Sequence, residues 1–372
     1  MDNYEEKNIK VLCLIESLGP GGAERQLIGL AKVLKESGFA VSLMYFRPNH
    51  FYKPIADEEG IEIKYIAGTR WRVLSVPILS MAIRRYRPNV VISYLRTASV
   101  IACLAKPVCY NYKLIVSERN MTQHNSIKEW LYFWLFKRAD YIVPNSYCQT
   151  NFIINNFPTL AENTFTILNF VDTERFHCRE YDTNAIDTKC IKMVCVGRID
   201  KQKNIPLFLS AIKQVVDDGM NIQVDWYGQR QNDTKGTMDA LKKLSLEGVV
   251  SFINPVNDIE DKYREADVLC LPSLYEGTPN VLLEAMSCGL PVLCSDVCDN
   301  RLIVEQGVSG FLFNPFDVAS IAEAIESFGR LSKGQRISMG LAARAFVANA
   351  FSKDKLRENY EKLILSGTGL YQ

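Results

Sequence analysis

The sequence predicts an α/β protein made of two Rossmann-like, doubly wound domains. Short β-branched runs alternate with segments of helical apolar spacing from one end of the chain to the other. This alternation is typical of parallel strands joined by helices that cover both faces of a sheet. The 372 residues are also enough for two such domains.

Each half of the chain contributes its own series of elements. In the first half, strands are predicted at 9–15, 40–46, 61–66, 90–93, 113–117, 141–143 and 164–168. In the second half, they are predicted at 191–196, 223–227, 250–253, 268–271, 291–294 and 310–313. Helices are predicted at 23–36, 127–137, 205–217, 281–287, 334–350 and 353–365. A polar segment separates the halves, so we expect domains at 1–171 and 189–352 with a linker at 172–188.

Composition excludes several classes of function. The net charge is +1, so no overall field attracts nucleic acid. The 11 cysteines include many in apolar runs, which predicts reduced, buried thiols in a cytoplasmic protein. The histidines, His50, His124 and His177, are far apart and no Cys-x2-Cys pair occurs, so no metal site is expected. The chain shows neither a signal segment nor an apolar run of the ~18 residues that span a bilayer.

Two glutamates lie within the stretch SLYEGTPNVLLEAMSCGLPVLCSD. Pro279 suits the first turn of a helix, and Gly289 suits a left-handed cap at its end. Glu276 is therefore expected on the loop before the helix, and Glu284 inside it. Backbone N–H groups at a helix start attract phosphate, whereas carboxylates accept hydrogen bonds from hydroxyls. The pattern favours a ligand with a diphosphate and sugar hydroxyls; the alternative is two solvated acids.

A basic loop, GRIDKQKNIP, follows the predicted strand 191–196. Arg198 and Lys203 are cations at a strand end, and Asn204 is predicted to cap the next helix, with Pro206 in its first turn. Such a loop can bind a diphosphate, although a solvated basic turn is the alternative.

A glycine-rich loop, ESLGPGGAERQL, follows the first strand. Gly19, Gly21 and Gly22 allow close backbone approach to phosphate, but the third spaced glycine of a dinucleotide fingerprint is missing. A purely structural turn is the alternative. Since ligands of open α/β sheets bind outside the carboxyl ends of strands, we expect these loops to face each other across a cleft.

These motifs resemble those of the retaining glycosyltransferases of family 4. GRIDKQKN and EGTPNVLLEAMSCGLPVLCSD carry the resemblance, together with GPGGAERQL, NFVDTERF and GVSGFLFNPFD. It implies a GT-B fold in which residues 353–372 cross back onto the first domain. It also implies that the second domain binds a nucleotide-sugar, most commonly a UDP-sugar, and that the first domain binds the acceptor.

The resemblance implies a role for each motif residue. Glu276 would bind hydroxyls of the donor sugar, and Glu284 the ribose hydroxyls. Arg198 and Lys203 would neutralise the leaving diphosphate, so neither a divalent metal nor another cofactor is expected. The remaining donor-site positions are Gly21, Gly22, Gly197, Gly228, Asn254, Gly277, Thr278, Pro279 and Asn280.

The first domain departs from the family pattern at IVSERNMTQHN. Many members carry a histidine near this strand end, whereas this chain has Glu118, Arg119 and Asn120, with His124 farther on. Glu118 is a candidate base for the acceptor hydroxyl; a structural Glu118–Arg119 turn is the alternative. In NFVD, Phe170 replaces a common glycine, which predicts a stiffer hinge. SERN is similar to members that extend bacterial surface polysaccharides or lipid-linked oligosaccharides.

Two basic-aromatic segments, TRWRVLSVPILSMAIRRYRP and IKEWLYFWLFKRADY, lie in the first domain. They predict either core helices or faces that rest on an anionic membrane and meet a lipid-linked acceptor. The membrane hypothesis places the protein at the inner face of the membrane, through Arg70, Arg72, Arg84, Arg85 and Arg87.

Two other functions compete with sugar transfer. A sugar-nucleotide epimerase of the same fold shares the donor, but the motif with two glutamates disfavours it. An inactive nucleotide-sugar-binding subunit is disfavoured by the intact charged residues of the second domain, although the unusual SERN keeps it open. A nicotinamide dehydrogenase fits less well, because the dinucleotide fingerprint is incomplete.

Overall fold

A computed structural model describes residues 7–67, 75–108, 111–123, 126–180, 190–229 and 234–366. Contacts divide the chain into two compact units. Unit 1 comprises Met1–Asn169 and Lys353–Gln372, and unit 2 comprises Phe170–Ser352. Each unit contains one six-stranded sheet, and every strand pair in both sheets is parallel. The predicted fold class is therefore confirmed.

Unit 1 alternates strands and helices along the chain. Its strands are β1 (Lys7–Ile15), β2 (Phe39–Tyr45), β3 (Glu62–Tyr65), β4 (Val90–Tyr94), β5 (Lys113–Glu118) and β6 (Tyr141–Pro144). Its helices are α1 (Gly22–Glu36), α2 (Lys53–Glu58), α3 (Ser75–Tyr86), α4 (Arg96–Ala105), α5 (Ile127–Phe136) and α6 (Tyr147–Asn156). The strand order in the sheet is β3-β2-β1-β4-β5-β6.

Unit 2 repeats this arrangement. Its strands are β7 (Ile191–Val196), β8 (Ile222–Tyr227), β9 (Val250–Ile253), β10 (Val268–Leu271), β11 (Val292–Ser295) and β12 (Gly310–Phe313). Its helices are α7 (Ile205–Asp217), α8 (Thr234–Lys243), α9 (Ile259–Glu265), α10 (Asn280–Ser287), α11 (Asn300–Ile303), α12 (Val318–Gly329) and α13 (Lys333–Ala350). The strand order is β12-β11-β10-β7-β8-β9.

Apolar strands and helix faces form the core of each unit. Phe133 and Phe136 of α5 are buried in the core of unit 1, and Phe208, Trp226 and Phe328 in that of unit 2. Strands buried on both faces explain why the sequence shows continuous apolar runs there rather than strict alternation. The described cysteines are free thiols, and burial raises the pKa of the Cys13 and Cys103 thiols to about 12. They are small core hydrophobes, as predicted.

The C-terminal helix, α14 (Lys353–Leu365), belongs to unit 1, as the resemblance implies. The hydroxyls of Tyr360 on α14 and Tyr94 on β4 lie 3.2 Å apart. The Lys113 ammonium donates to the carbonyls of Leu363 and Ile364 at 2.9 and 2.8 Å. These carbonyls lie in the last turn of α14, where no N–H of the helix can reach them, so Lys113 supplies hydrogen bonds to them. Burial lowers the pKa of Lys113.

The predicted strand 164–168 is wrong. Thr164 forms only an isolated bridge with Ile142, and Phe165 donates one backbone bond to the same residue. This segment follows a short 3-10 turn, Pro158–Asn163, at the edge of the sheet beside β6. The remaining predicted elements are present, with ends that differ by no more than two residues.

The predicted linker also differs from the structure in its described part. The Phe176 side chain is buried, and its carbonyl accepts a 2.7 Å hydrogen bond from Ser287 on α10. The Arg179 N–H donates to the carbonyl of Cys288 at 3.1 Å. Residues 172–180 therefore pack on unit 2, because their backbone groups find buried partners there. Residues 181–189, the remainder of the predicted segment, lie outside the described residues.

Among the described residues, no helix combines the length and apolarity that crossing a bilayer requires.

Candidate active site

The winding direction of each sheet reverses at one point, and this point locates the site. In unit 2 the chain moves outward from β7 to β9 on one side, and from β10 to β12 on the other. The reversal therefore lies between β7 and β10. In doubly wound sheets, ligands bind outside the carboxyl ends of the strands at such a switch point. The loops after β7 and β10 are the two predicted motifs, GRIDKQKN and SLYEGTPN.

Gln202 joins these two loops. Its carbonyl accepts a 2.8 Å hydrogen bond from the N–H of Leu274, and its side-chain amide donates to the carbonyl of Tyr275 at 2.9 Å. The role of Gln202 could not be predicted, because nothing along the chain indicates that residues 73 positions apart are paired. These bonds fix the basic loop against the acidic loop.

Lys203 and Glu276 form an ion pair at the switch point. The Lys203 Nζ lies 2.6 Å from Glu276 Oε1, and each residue is only 9% exposed. Both residues were predicted for the site, but not that they pair. An ammonium group has three donors and a carboxylate has two oxygens. One mutual hydrogen bond therefore leaves each group capacity to bind a ligand.

Arg198 lies at the surface of the same loop. Its side chain is 56% exposed, and its Nε lies 3.3 Å from Asp200 Oδ2. A more distant contact joins its Nη2 to Gln202 Oε1 at 3.4 Å. Surface ion pairs of this kind hold a side chain only weakly, so the guanidinium can turn toward an anion.

Two glycines make a close backbone contact beside this loop. A Cβ added to Gly228 would lie 1.9 Å from the carbonyl oxygen of Gly197, so no larger residue fits without backbone movement. The same oxygen accepts a 2.9 Å hydrogen bond from the Trp226 indole. Asn254, another predicted donor-site residue, is exposed directly after β9.

The start of α10 presents backbone N–H groups at the end of the Glu276 loop. Pro279 occupies the N-cap position rather than the first helical turn, and Asn280 is the first helical residue. Thr278 is buried and Gly277 is half-buried. At the other end of α10, Gly289 has a φ of +75°, the left-handed conformation predicted for it.

Glu284 lies inside α10, as predicted, and is buried. Its carboxylate accepts a 3.2 Å hydrogen bond from the hydroxyl of Tyr263 on α9. No pattern in the sequence indicated a role for this tyrosine. Asn204 was predicted to cap α7, but its φ is +53° and its side chain instead donates to the carbonyl of Pro315 at 2.7 Å. Pro206 lies in the first turn of α7, as predicted.

The glycine loop of unit 1 lies after β1, at the switch point between β1 and β4. Gly21 is the N-cap residue of α1, and Gly22 is the first residue of that helix. The Leu18 N–H donates to the Asn49 carbonyl, and the Tyr52 N–H to the Leu18 carbonyl, both at 2.9 Å. The glycine loop is thus fixed to the loop after β2.

Leu95 has a strained backbone at this same switch point. Its φ of +68° and ψ of 154° place a branched residue in a region that L-residues rarely adopt. It directly follows β4 and precedes Arg96 of α4. Neither Leu95 nor Arg96 was predicted to belong to the site. Only the φ angle distinguishes Leu95 from an ordinary apolar residue.

Glu118 is buried at the end of β5, with 1% exposure. Its Oε2 accepts a 3.1 Å hydrogen bond from Arg96 Nε, and Arg96 also binds Glu129 and Thr122. Within the described residues, Glu118 Oε1 has no hydrogen-bond partner. Burial raises the pKa of Glu118, an effect that Arg96 opposes and Glu129 reinforces.

Arg119 is buried in a polar cluster that includes α14. It donates to Asn169 Oδ1 at 2.7 Å, to the hydroxyl of Tyr360 at 2.8 Å and to that of Tyr94. Its guanidinium also lies 4.1 Å from the centre of the Tyr94 ring. Asn120 is exposed. His124, Arg70 and Arg72 lie outside the described residues.

Two family models match the chain in succession. A model described as Glycosyltransferase Family 4 matches residues 20–175, and one described as Glycosyl transferases group 1 matches residues 191–329. The chain belongs to the family 4 glycosyltransferases. The two matches include Gly21 and Gly22 of the glycine loop, SERN, the basic loop and both glutamates of the acidic motif. The protein is therefore an enzyme that uses a nucleotide-sugar donor.

Two relatives of this glycosyltransferase come from Campylobacter jejuni. One is N-acetylgalactosamine-N,N'-diacetylbacillosaminyl-diphospho-undecaprenol 4-alpha-N-acetylgalactosaminyltransferase, 25% identical over 77% of this chain and 80% of that protein. The other is GalNAc-alpha-(1->4)-GalNAc-alpha-(1->3)-diNAcBac-PP-undecaprenol alpha-1,4-N-acetyl-D-galactosaminyltransferase, 24% identical over 86% of this chain and 88% of that protein.

A solved structure with the same fold is Anabaena Alr3699/HepE in complex with UDP and glucose. It is 20% identical and superposes with a TM-score of 0.85, over 96% of this chain and 100% of that chain. The fold of this glycosyltransferase is therefore GT-B. Within the described part of the chain, no group of three or more His, Cys, Asp or Glu side chains could hold a metal ion.

Proposed function

We propose that this glycosyltransferase moves a hexose or an N-acetylhexosamine from a UDP-sugar to a hydroxyl of a glycan or lipid-linked acceptor. The transfer proceeds with retention of the anomeric configuration and without a metal. The observation that carries this proposal is the Lys203–Glu276 ion pair at the β7/β10 switch point. It combines a cation for a diphosphate with a carboxylate for sugar hydroxyls.

The relatives support the choice of donor and acceptor. The names of both Campylobacter proteins specify an N-acetylgalactosaminyl group and an undecaprenol-linked acceptor. The Anabaena protein was crystallised with UDP and with glucose. A UDP-sugar and a lipid-linked saccharide are therefore the first substrates to test.

The charges of unit 2 suit the bond that breaks. Cleavage of the sugar–phosphate bond leaves negative charge on the diphosphate and positive charge on the anomeric carbon. Lys203, Arg198 and the N–H groups at the start of α10 would stabilise the diphosphate. Preorganised donors of this kind typically contribute ~2.7–4 kcal/mol to transition-state stabilisation. Since Lys203 is held by Glu276, little reorganisation is needed at the moment of reaction.

The two glutamates of unit 2 would orient the donor. Glu276 would bind hydroxyls of the transferred sugar while it stays paired to Lys203. Glu284, positioned by Tyr263, would bind the ribose hydroxyls. The backbone at Gly197 and Gly228, which carry no side chains of their own, would approach the nucleotide. Unit 2 would thus bind the donor, and unit 1 the acceptor.

The acceptor side involves residues at the ends of β4 and β5. Glu118 would accept the proton of the attacking hydroxyl through Oε1, since Arg96 occupies Oε2. Burial favours the protonated form of Glu118, so its acid–base role would depend on pH. Arg119 would act indirectly, by holding α14 on unit 1. We place the enzyme in the cytoplasm, at the inner surface of the membrane.

The experiment is nucleoside-diphosphate release from UDP-, GDP- and ADP-sugars, with EDTA present and no acceptor. Wild type is compared with Arg198→Ala, Glu276→Gln and the control Arg330→Ala, whose side chain is 70% exposed on unit 2. We expect slow release from a UDP-sugar that both site variants lose and the control keeps. Loss of wild-type release in EDTA would contradict the metal-independent mechanism.

The same panel separates the competing functions. An epimerase would convert the donor sugar without net release of UDP, which chromatography of the sugar nucleotides would detect. A binding subunit would bind UDP-sugar in calorimetry yet release nothing, even with a lipid-linked acceptor. Either result would contradict the proposed transfer.

A further inference from the structure

Helix α5 exposes a continuous apolar stripe. Ile127, Trp130, Leu131 and Trp134 are 89%, 54%, 48% and 44% exposed. Their spacing of i, i+3, i+4 and i+7 places them on one side of the helix. We call these four residues the α5 face. Single exposed apolar residues are ordinary, but a contiguous patch with two tryptophans marks an interaction surface.

The α5 face is not part of the packed core of unit 1. The opposite side of α5 buries Phe133, Leu135 and Phe136 in the core. Ser126 caps the helix by accepting from the Glu129 N–H at 3.3 Å, and Glu129 pairs with Arg96. The helix is therefore anchored by its inner side and its start. The outer side is left for a partner.

Cations surround the α5 face. Lys128 and Lys137 are exposed, and so is Arg138, whose guanidinium lies 5.8 Å from the centre of the Trp134 ring. Glu129 is turned inward to Arg96, so the acid on this helix does not offset these charges. Tryptophan with flanking lysine and arginine is the composition that favours the headgroup region of an anionic bilayer.

Helix α3 also exposes an apolar side chain beside cations. Both α3 and α5 contact α4, and all three helices cover the same core. Met81 of α3 is 71% exposed, and Arg84, Arg85 and Arg87 near it are exposed as well. Positive charge beside a protruding apolar side chain thus recurs on α3, a second helix in contact with α4. This pattern complements a negatively charged lipid surface rather than a neutral one.

We propose that the α5 face docks unit 1 onto an anionic lipid bilayer, with the two tryptophans in the headgroup region and the cations on lipid phosphates. The proposal rests on the proposed function only where it concerns the acceptor, since bilayer binding does not require sugar transfer. It selects lipid-linked saccharides over free glycans as the acceptor class.

The inner side of α5 connects the docking surface to the candidate acceptor site. Glu129 on α5 binds Arg96, and Arg96 binds Glu118 at the end of β5. The strained Leu95 immediately precedes Arg96. A bilayer beneath the α5 face would therefore be separated from the strand end at Glu118 by α5 and by the Glu129–Arg96–Glu118 contacts. A lipid-linked substrate could reach the site without leaving the membrane.

The test is sedimentation of the full chain with vesicles of phosphatidylglycerol and phosphatidylcholine. Wild type is compared with the triple variant Ile127→Ser, Trp130→Ser, Trp134→Ser. The control is Leu302→Ser, Phe316→Ser, which alters residues of unit 2 that are 55% and 69% exposed. We expect the triple variant to lose at least about tenfold in partitioning, while the control matches wild type. The double variant Lys137→Glu, Arg138→Glu is expected to weaken binding to the vesicles chiefly at low salt.

Quenching of wild-type tryptophan fluorescence by brominated lipids provides a readout that needs no variant. We expect quenching, because the two tryptophans of the α5 face would lie at headgroup depth. Acceptor-free UDP release should be equal in wild type and the triple variant. If no protein releases UDP but wild type still binds vesicles through the α5 face, the proposed function fails and the docking surface stands.

Three results would overturn the docking surface. The first is that wild type remains in the supernatant with anionic vesicles and shows no quenching by brominated lipids. The second is that the triple variant binds vesicles as wild type does. The third is a concentration-dependent dimer, detected by light scattering and abolished in the triple variant, which would assign the α5 face to a second copy of the chain.

Discussion

The strand ends of the two units hold their charged residues in different ways. In unit 2, Lys203 and Glu276 pair with each other at the switch point, and Arg198 remains at the surface. In unit 1, Glu118 is completely buried against Arg96, and Arg119 is enclosed by Tyr94, Tyr360 and Asn169. The pair in unit 2 keeps spare bonding capacity, which the proposed function assigns to the donor, whereas Arg96 and Arg119 of unit 1 are bonded to groups of the same unit.

Under the proposed function, unit 2 binds the donor and unit 1 the acceptor, and this difference fits that division. A nucleotide-sugar carries charge that fixed cations must neutralise, so unit 2 needs charged groups with spare bonding capacity. An acceptor hydroxyl carries no charge, so unit 1 needs only a shaped site and one group that can take a proton. The buried arginines of unit 1 then serve chiefly to hold β5, α5 and α14 in place.

Breaking the Lys203–Glu276 pair is expected to change activity and stability more than any other substitution considered below. Lys203→Met removes the buried cation of the diphosphate site, and kcat is expected to fall about 100- to 1,000-fold. It also leaves the Glu276 carboxylate buried without its ion-pair partner, which is expected to lower the free energy of unfolding by roughly 3 kcal/mol. Steady-state kinetics and urea denaturation measure the two effects.

The double variant Lys203→Met, Glu276→Gln sharpens this test. It removes both charges, so its unfolding free energy should lie above the value expected from adding the two single losses. The control Lys213→Met removes a half-exposed lysine of α7 that pairs with Asp217 at the surface, and it should change neither rate nor stability measurably. Additive losses would show that the two side chains do not interact in the folded protein.

Arg119→Met tests whether the charges of unit 1 are internal. It removes hydrogen bonds from a buried cation to Asn169 and Tyr360, so we expect a loss of about 1.5–3 kcal/mol in unfolding free energy. The control Arg357→Met changes a more exposed arginine on α14 and should have little effect. A variant of normal stability whose acceptor KM rises would instead make Arg119 an acceptor-binding residue.

Gly228→Ala tests the close backbone contact of unit 2. The new Cβ would collide with the Gly197 carbonyl, so the end of β8 has to move. We expect a stability loss of about 1–3 kcal/mol and weaker donor binding. Gly248→Ala is the matched control, because nothing lies within 4 Å of a Cβ at that position. Equal melting curves for the two variants would contradict the geometry.

The smallest expected effect is the pH dependence that Glu118 contributes. Burial raises its pKa in the folded state, despite Arg96, and Glu129 adds to the shift. The folded state therefore binds this proton more tightly, and the associated stability is lost as the pH rises through the folded pKa. Relative to Glu118→Gln, wild type should lose stability as the pH rises above the ordinary glutamate pKa. Parallel stability curves for the two proteins would exclude an upward shift.

Sequence patterns predicted the fold well, because parallel strands buried on both faces leave continuous apolar runs. They failed at 164–168, where an apolar run of strand-like composition forms only one bridge. In 172–180, part of the predicted linker, the mostly polar sequence did not indicate that Phe176 is buried. Composition does not report which backbone groups find buried partners.

The candidate site was predictable where its chemistry is local in sequence. The loops with Arg198, Lys203 and Glu276 each follow a strand and precede a helix, so their common edge could be inferred. The partners Gln202, Tyr263, Arg96 and Tyr360 could not, because their roles depend on tertiary contacts between distant positions. The α5 face was ambiguous for the same reason, since core and exposed aromatic residues alternate within a single helix.

The central claim is that Lys203 binds the diphosphate and Glu276 the sugar of one donor. Calorimetry of UDP and of the UDP-sugar, with wild type, Lys203→Met and Glu276→Gln, tests it most directly. We predict that Lys203→Met weakens the binding of both ligands at least about tenfold, or ~1.4 kcal/mol. Glu276→Gln is predicted to weaken the binding of the UDP-sugar only. Equal weakening of UDP and UDP-sugar by Glu276→Gln, or unchanged binding in Lys203→Met, would contradict the claim.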